Sequence, residues 1–134
     1  MDKEKILMRI QDCGIVAVVR AENADKAERI VDACMEGGVA AIELTFSVPH
    51  ADRVIETLSY KYDPKDIILG AGTVMDAATA RIAMLSGAQY IVSPYLDLET
   101  LRMCNRYRVP MMPGVMSVRE AVTAMENGAD ILKI

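Results

Sequence analysis

The 134-residue sequence contains no tryptophan, one phenylalanine and five tyrosines, so aromatic residues make up only 4% of it. Proteins that stack nucleic-acid bases need such rings. The net charge of −4 also offers no cationic surface to a phosphate backbone. Histidine occurs once, and the three cysteines (Cys13, Cys34, Cys104) form no CxxC pair. That inventory argues against a zinc site and against a disulfide framework. We therefore expect no metal and no cofactor, with the thiols acting as packing residues in a reducing cytoplasm. No run reaches the ~18 apolar residues of a membrane span, and we expect no signal peptide from the charged opening residues. Neither nucleic acid nor membrane is expected as a partner.

What is present fits one folded domain: 52% hydrophobic and 25% charged residues, with no linker or low-complexity stretch. Ten methionines read as core fillers. The opening MDKEKILMRIQD reads as an amphipathic helix. After it, short apolar runs begin at residues 14, 40, 67, 90, 110 and 130, in steps of 26, 27, 23, 20 and 20. Between them lie segments of helical period: Ala24–Glu36, Ala51–Tyr60, Ala77–Leu85, Leu98–Tyr107 and Val118–Asn127. Asp76, Asp97 and Ser117 mark helix starts, and Ser117 with Glu120 spells a capping box. Gly37-Gly38, Gly87 and Gly128 mark helix ends, where glycine takes the left-handed conformation at no steric cost.

Strands alternating with helices at this period make βαβ units and a parallel sheet. A dinucleotide fold would need GxGxxG in its first turn. The single GxG, Gly70-Ala71-Gly72, follows the third run and lacks the third glycine. A (β/α)₈ barrel fits better, because polar residues recur at the ends of the runs: Arg20, Glu43 with Thr45, Thr73, Ser93 and Lys133. In a barrel these ends converge on one site. Only about six βα units are present, so we expect residues 1–134 to be a single (β/α) barrel domain that is incomplete at its C-terminus. The two edges left unpaired would expose backbone groups, and Val16, Val18 and Ile131 would face water. An isolated chain of this kind should be oligomeric, aggregated or molten.

Alternation assigns faces. In the second run, Ile42 and Leu44 suit the helix layer, leaving Ala41, Glu43 and Thr45 inward. In the third, Leu69, Ala71 and Thr73 are expected inward, with Gly70 and Gly72 allowing close approach by a helix or ligand. Val16, Val18 and Arg20 share the inner face of the first run. Ile131 and Lys133 share that of the last, with Leu132 and Ile134 toward the helices. A lysine and a glutamate among apolar neighbours are costly unless paired or used. One reading is a buried ion pair. The other is a Schiff-base lysine, made neutral by burial, with a carboxylate shuttling protons. His50 reads as a solvated loop residue and Arg102, Arg106 and Arg108 as a solvated face. Ser93 suits a strand-end cap as well as a substrate contact.

The segments Ile15–Arg20, Gly37–Thr45, Gly70–Val74, Gly87–Pro94, Met112–Val115 and Ile131–Lys133 occur in an order and spacing that resembles the 2-keto-3-deoxy-6-phosphogluconate (KDPG) and 2-keto-4-hydroxyglutarate (KHG) aldolases. These are class I, Schiff-base lyases on a (β/α)₈ TIM barrel. The resemblance implies that Lys133 is the Schiff-base lysine and Glu43 the general acid/base. It further implies that Arg20 and Thr73 lie near the carboxylate of a 2-oxo acid substrate, with Pro94 shaping the pocket. It implies pyruvate as product, a homotrimer, and a place in carbohydrate (Entner–Doudoroff) metabolism. Two departures stand out. The stretch Thr45–Val48 lacks the arginine that many members carry there, and the family's Phe-Pro segment and phosphate-binding loops have no counterpart. Two alternatives stay open: an inactive barrel fragment interacting through open sheet edges, or another (β/α)₈ lyase or isomerase in which Lys133 is only electrostatic.

Overall fold

The computed structural model describes residues 2–134, so Met1 of the expected first helix lies outside the described residues. Helices and strands alternate: α1 Lys3–Cys13, β1 Ala17–Val19, α2 Ala24–Glu36, β2 Ala41–Thr45, α3 Ala51–Lys61, β3 Ile68–Gly72, α4 Ala77–Ser86, β4 Tyr90–Ser93, α5 Leu98–Arg106, β5 Met111–Pro113 and α6 Val118–Glu126. The helix ends follow from local chemistry. The Asp76, Asp97 and Ser117 side chains each accept the backbone N–H three residues on, as the sequence predicts, and Asn23 does the same for α2. Glu120 reaches back from the other side, accepting from the Ser117 hydroxyl at 2.7 Å and from the Met116 N–H, one residue before the cap, at 3.1 Å. Gly38, Gly87 and Gly128 all adopt positive φ after their helices.

The five strands form one parallel sheet in chain order, β1-β2-β3-β4-β5. The sixth run does not become a strand. Lys133 makes a single bridge to Gly114, donating its N–H to Pro113 O (3.0 Å) and accepting from Val115 N–H (2.9 Å). With β5 only three residues long and no described strand beyond, the ladder does not extend past that bridge.

Side chains divide between the two faces of the sheet. On the outer face Val19, Ile42, Leu44, Leu69, Ala71, Ile91 and Met111 pack under the helices against Val31, Ile55, Leu58, Ala83 and Leu101. Burying each larger aliphatic side chain stabilises the fold by ~1.5–3 kcal/mol. On the inner face Ala41, Ile68, Tyr90, Val92 and Met112 pack against Ile6 and Ile10 of α1. The amphipathic first helix thus covers part of the inner face. Its Lys3 pairs with Asp130 at 2.8 Å, tying α1 to the C-terminal segment.

The second run faces as its alternation predicts. The third is inverted: Leu69 and Ala71 lie under the helices, while Ile68, Gly70 and Gly72 line the inner face. That run is apolar at both parities, and the bulk of Leu69 fits the helix layer better than the crowded row between Glu43 and Tyr90. Val16 and Ile131 are half-buried against the inner cluster rather than open to water, because α1 supplies their cover. Val18 is exposed as expected, and Ile134, expected under the helices, is fully exposed.

Candidate active site

Glu43 sits mid-strand in β2 on the inner face, and its side chain is only 6% exposed. It lies there because residue 72, in the adjacent strand, has no side chain. A Cβ at Gly72 would stand 2.6 Å from both Glu43 Cγ and Cδ. The glycine expected to admit a helix or ligand instead admits the neighbouring strand's carboxylate. Lys133, held beside Gly114 by the bridge just described, brings its Nζ to 3.7 Å from Glu43 Oε1. The two residues are 90 positions apart in sequence and meet across the inner face. Their environments differ: the Lys133 side chain is 45% exposed. The expected burial of both partners holds for Glu43 alone. Lys133 lies on the outermost hydrogen-bonded segment, where no described element covers it.

The remaining candidates follow strand ends. Arg20 follows β1 and is exposed, Thr73 follows β3 and is half-buried, and Pro94 follows β4 and is exposed. Thr73 has a φ of 55°, a left-handed conformation that β-branched residues rarely adopt. The turn lets Val74 donate its N–H to Val92 O at 3.1 Å, carrying the chain across the end of β4. Such strain collects at functional sites. The Pro94 carbonyl packs against Gly114, where a Cβ would collide with it. Pro94 thereby abuts the residue that bridges to Lys133.

A buried tyrosine went unread in the sequence. Tyr90 of β4 is fully buried, its ring lies over Gly70, and its hydroxyl donates to Ile42 O at 2.8 Å. Burial, reinforced by the charges of Glu43 and Cys13, pushes its phenol well above the ordinary tyrosine range. The signal was a glycine in β3 opposite an inward tyrosine in β4, visible only once the register is known. Ser93 is buried and its Oγ accepts the Tyr95 N–H at 3.4 Å, the capping role. His50 is exposed, with left-handed backbone, at the start of α3. Arg102 and Arg106 are exposed, and Arg108 pairs with Asp2 and Glu4. The three thiols are free. No group of metal-binding side chains exists among the described residues, and no described helix is long and apolar enough to cross a membrane.

A family model described as KDPG and KHG aldolase matches residues 6–134. The chain belongs to this aldolase family. The 2-dehydro-3-deoxy-phosphogluconate aldolase of Treponema pallidum is 32% identical over 128 residues, which make up 96% of this chain and 60% of that protein. Among solved structures, the KDPG aldolase of Zymomonas mobilis ZM4, with 3-phosphoglycerate, superposes with a TM-score of 0.84. It is 26% identical, over 99% of this chain and 61% of that one. The KDPG aldolase of Legionella pneumophila, with pyruvate captured as a covalent carbinolamine intermediate, superposes with a TM-score of 0.82. It is 27% identical, over 89% of this chain and 57% of that one. The chain thus spans about 60% of the length of the aldolases it matches. Its five-stranded parallel sheet corresponds to a part of their TIM barrel.

Proposed function

We propose that this chain carries the Schiff-base half of a class I aldolase site. The substrate class is 2-oxo acids, KDPG or 4-hydroxy-2-oxoglutarate, cleaved to pyruvate and an aldehyde. The observation that carries the reading is the approach of Lys133 Nζ to within 3.7 Å of a buried Glu43 carboxylate in a member of this family. Only a neutral amine attacks a carbonyl, so Lys133 first gives up a proton to solvent. Its lone pair then adds to the C2 carbonyl carbon, forming a carbinolamine. A proton is taken back when the carbinolamine hydroxyl leaves as water, and an iminium remains whose positive nitrogen accepts electrons. Glu43 takes the proton from the C4 hydroxyl, the C3–C4 bond breaks, and its electron pair flows into the iminium to give an enamine. The aldehyde leaves. Glu43 returns a proton to C3, and water hydrolyses the imine to pyruvate and free lysine.

Arg20 and Thr73 are the groups we assign to the substrate carboxylate, a guanidinium and a hydroxyl at strand ends. Pro94 is assigned to the wall of the pocket. The strained backbone at Thr73 supports its place in the site. On this reading residues 1–134 are one (β/α)-barrel domain, working as a homotrimer in the cytoplasm. Pyruvate production would place it in carbohydrate metabolism of the Entner–Doudoroff kind. The test is exchange of the pyruvate methyl protons in deuterated water, followed by NMR. The reading expects exchange with the wild-type chain and none with Lys133→Met. Equal exchange in the two would overturn it.

A further inference from the structure

Glu43, Gly70 and Tyr90 stand in one row across β2, β3 and β4: Glu43 pairs in register with Gly70, and Gly70 with Tyr90. The middle position carries no side chain, and the tyrosine occupies the space. A Cβ on Gly70 would collide with the Cζ, Cε1 and Cε2 atoms of the phenol ring. Tyr90 therefore reaches across the whole of β3 and donates its hydroxyl to Ile42 O on β2, at 2.8 Å. That carbonyl belongs to the peptide group whose N–H is Glu43's own. The ring covers Gly70, the residue in register with Glu43, while Gly72 leaves the space into which the carboxylate leans. A fully buried hydroxyl with its one donor committed to a backbone carbonyl is a fixed point. The influence of Glu43's charge on the phenol is the electrostatic trace of the same proximity.

We infer that Tyr90 is a positioning residue for Glu43: through the Ile42 carbonyl it fixes the β2 peptide from which the carboxylate reaches Lys133. It touches no reacting atom. The inference rests on the aldolase reading and adds to it. Tyr90 should affect the proton-transfer steps that use Glu43 and not the carbonyl addition at Lys133.

The experiment uses Tyr90→Phe, which keeps the ring and its packing and removes only the hydroxyl. Two quantities are measured on the wild-type chain and the variant at saturating pyruvate: the fraction of Lys133 trapped by borohydride, and the rate of deuterium exchange at the pyruvate methyl group. We expect equal trapping and an exchange rate lowered about 3- to 10-fold, the effect of losing one hydrogen bond. Gly70→Ser, which pushes the ring off its seat, should give the same split if it folds. Equal exchange in wild type and Tyr90→Phe would overturn the inference. So would a parallel loss of trapping and exchange, the mark of a general structural role. Failure to trap Lys133 in the wild type would instead remove the aldolase reading, and the positioning role with it.

Discussion

Glu43 occupies its place because Gly72 has no side chain: any Cβ at position 72 would lie within 2.6 Å of the Glu43 Cγ and Cδ atoms. Strand β3 thus gives up a side chain so that strand β2 can hold a carboxylate beneath the surface. Gly72→Ala should force Glu43 from its rotamer and cost about 1–3 kcal/mol of overpacking. Urea denaturation measures the stability loss. Methyl-proton exchange of pyruvate should fall with it by more than tenfold, because the carboxylate no longer meets Lys133. A variant of wild-type stability and exchange would mean that Glu43 has room the structure does not show.

Glu43→Gln separates proton transfer from imine formation. If the carboxylate moves protons at C3 and C4, turnover should slow by roughly 10²–10⁴-fold. Borohydride should still trap Lys133, more slowly. Unchanged exchange would reduce Glu43 to an ion-pair partner.

Thr73 is expected to trade stability for binding. Its left-handed backbone costs roughly 1–2 kcal/mol in a residue with a Cβ, so Thr73→Gly should be no less stable than wild type in thermal unfolding. Thr73→Val and Arg20→Leu should each raise the pyruvate concentration needed for half-maximal trapping more than they lower its maximal rate. The opposite pattern would put these residues in the chemical step.

Alkaline stability follows from three groups, one of them the buried Tyr90 phenol, which burial pushes well above the ordinary tyrosine range. Burial pushes the Cys104 thiol from 9.0 up to about 12. The Tyr62 hydroxyl, donating to the Asp32 carboxylate, is raised from 10.0 to about 12. A raised folded value favours the folded state below the unfolded value and withdraws that stability as pH climbs to the folded one. The melting temperature should therefore fall between pH 9 and 12. In Cys104→Ala the fall should be shallower and begin nearer pH 10. An unchanged profile in that variant would show that the thiol ionises freely in the folded chain.

Helices and caps were legible because their signals are local: Asp76, Asp97 and Ser117 bond to amides three residues away. The face of β2 was legible because Glu43 interrupts an apolar strand. The face of β3 was misread because Ile68-Leu69-Gly70-Ala71-Gly72 offers no polar marker, so its parity is set by what the neighbouring strands project. The Glu43–Lys133 meeting was legible from strand counting and family resemblance, whereas the exposure of Lys133 depends on cover that the chain itself does not state. Likewise the apolar side of α1 announces burial without saying against what. Its docking on the inner face, and the span of Tyr90 over Gly70, are long-range facts that only the assembled sheet supplies.

The central claim is that Lys133 is a carbonyl-reactive amine beside a working carboxylate. It is tested most directly by incubating the chain with pyruvate and borohydride and mapping the modified residue by mass spectrometry. The account predicts one adduct, on the peptide containing Lys133, with the mass of pyruvic acid less one oxygen atom, and none in Lys133→Arg. An unmodified Lys133 in a folded chain, or labelling spread over the other lysines, would contradict it.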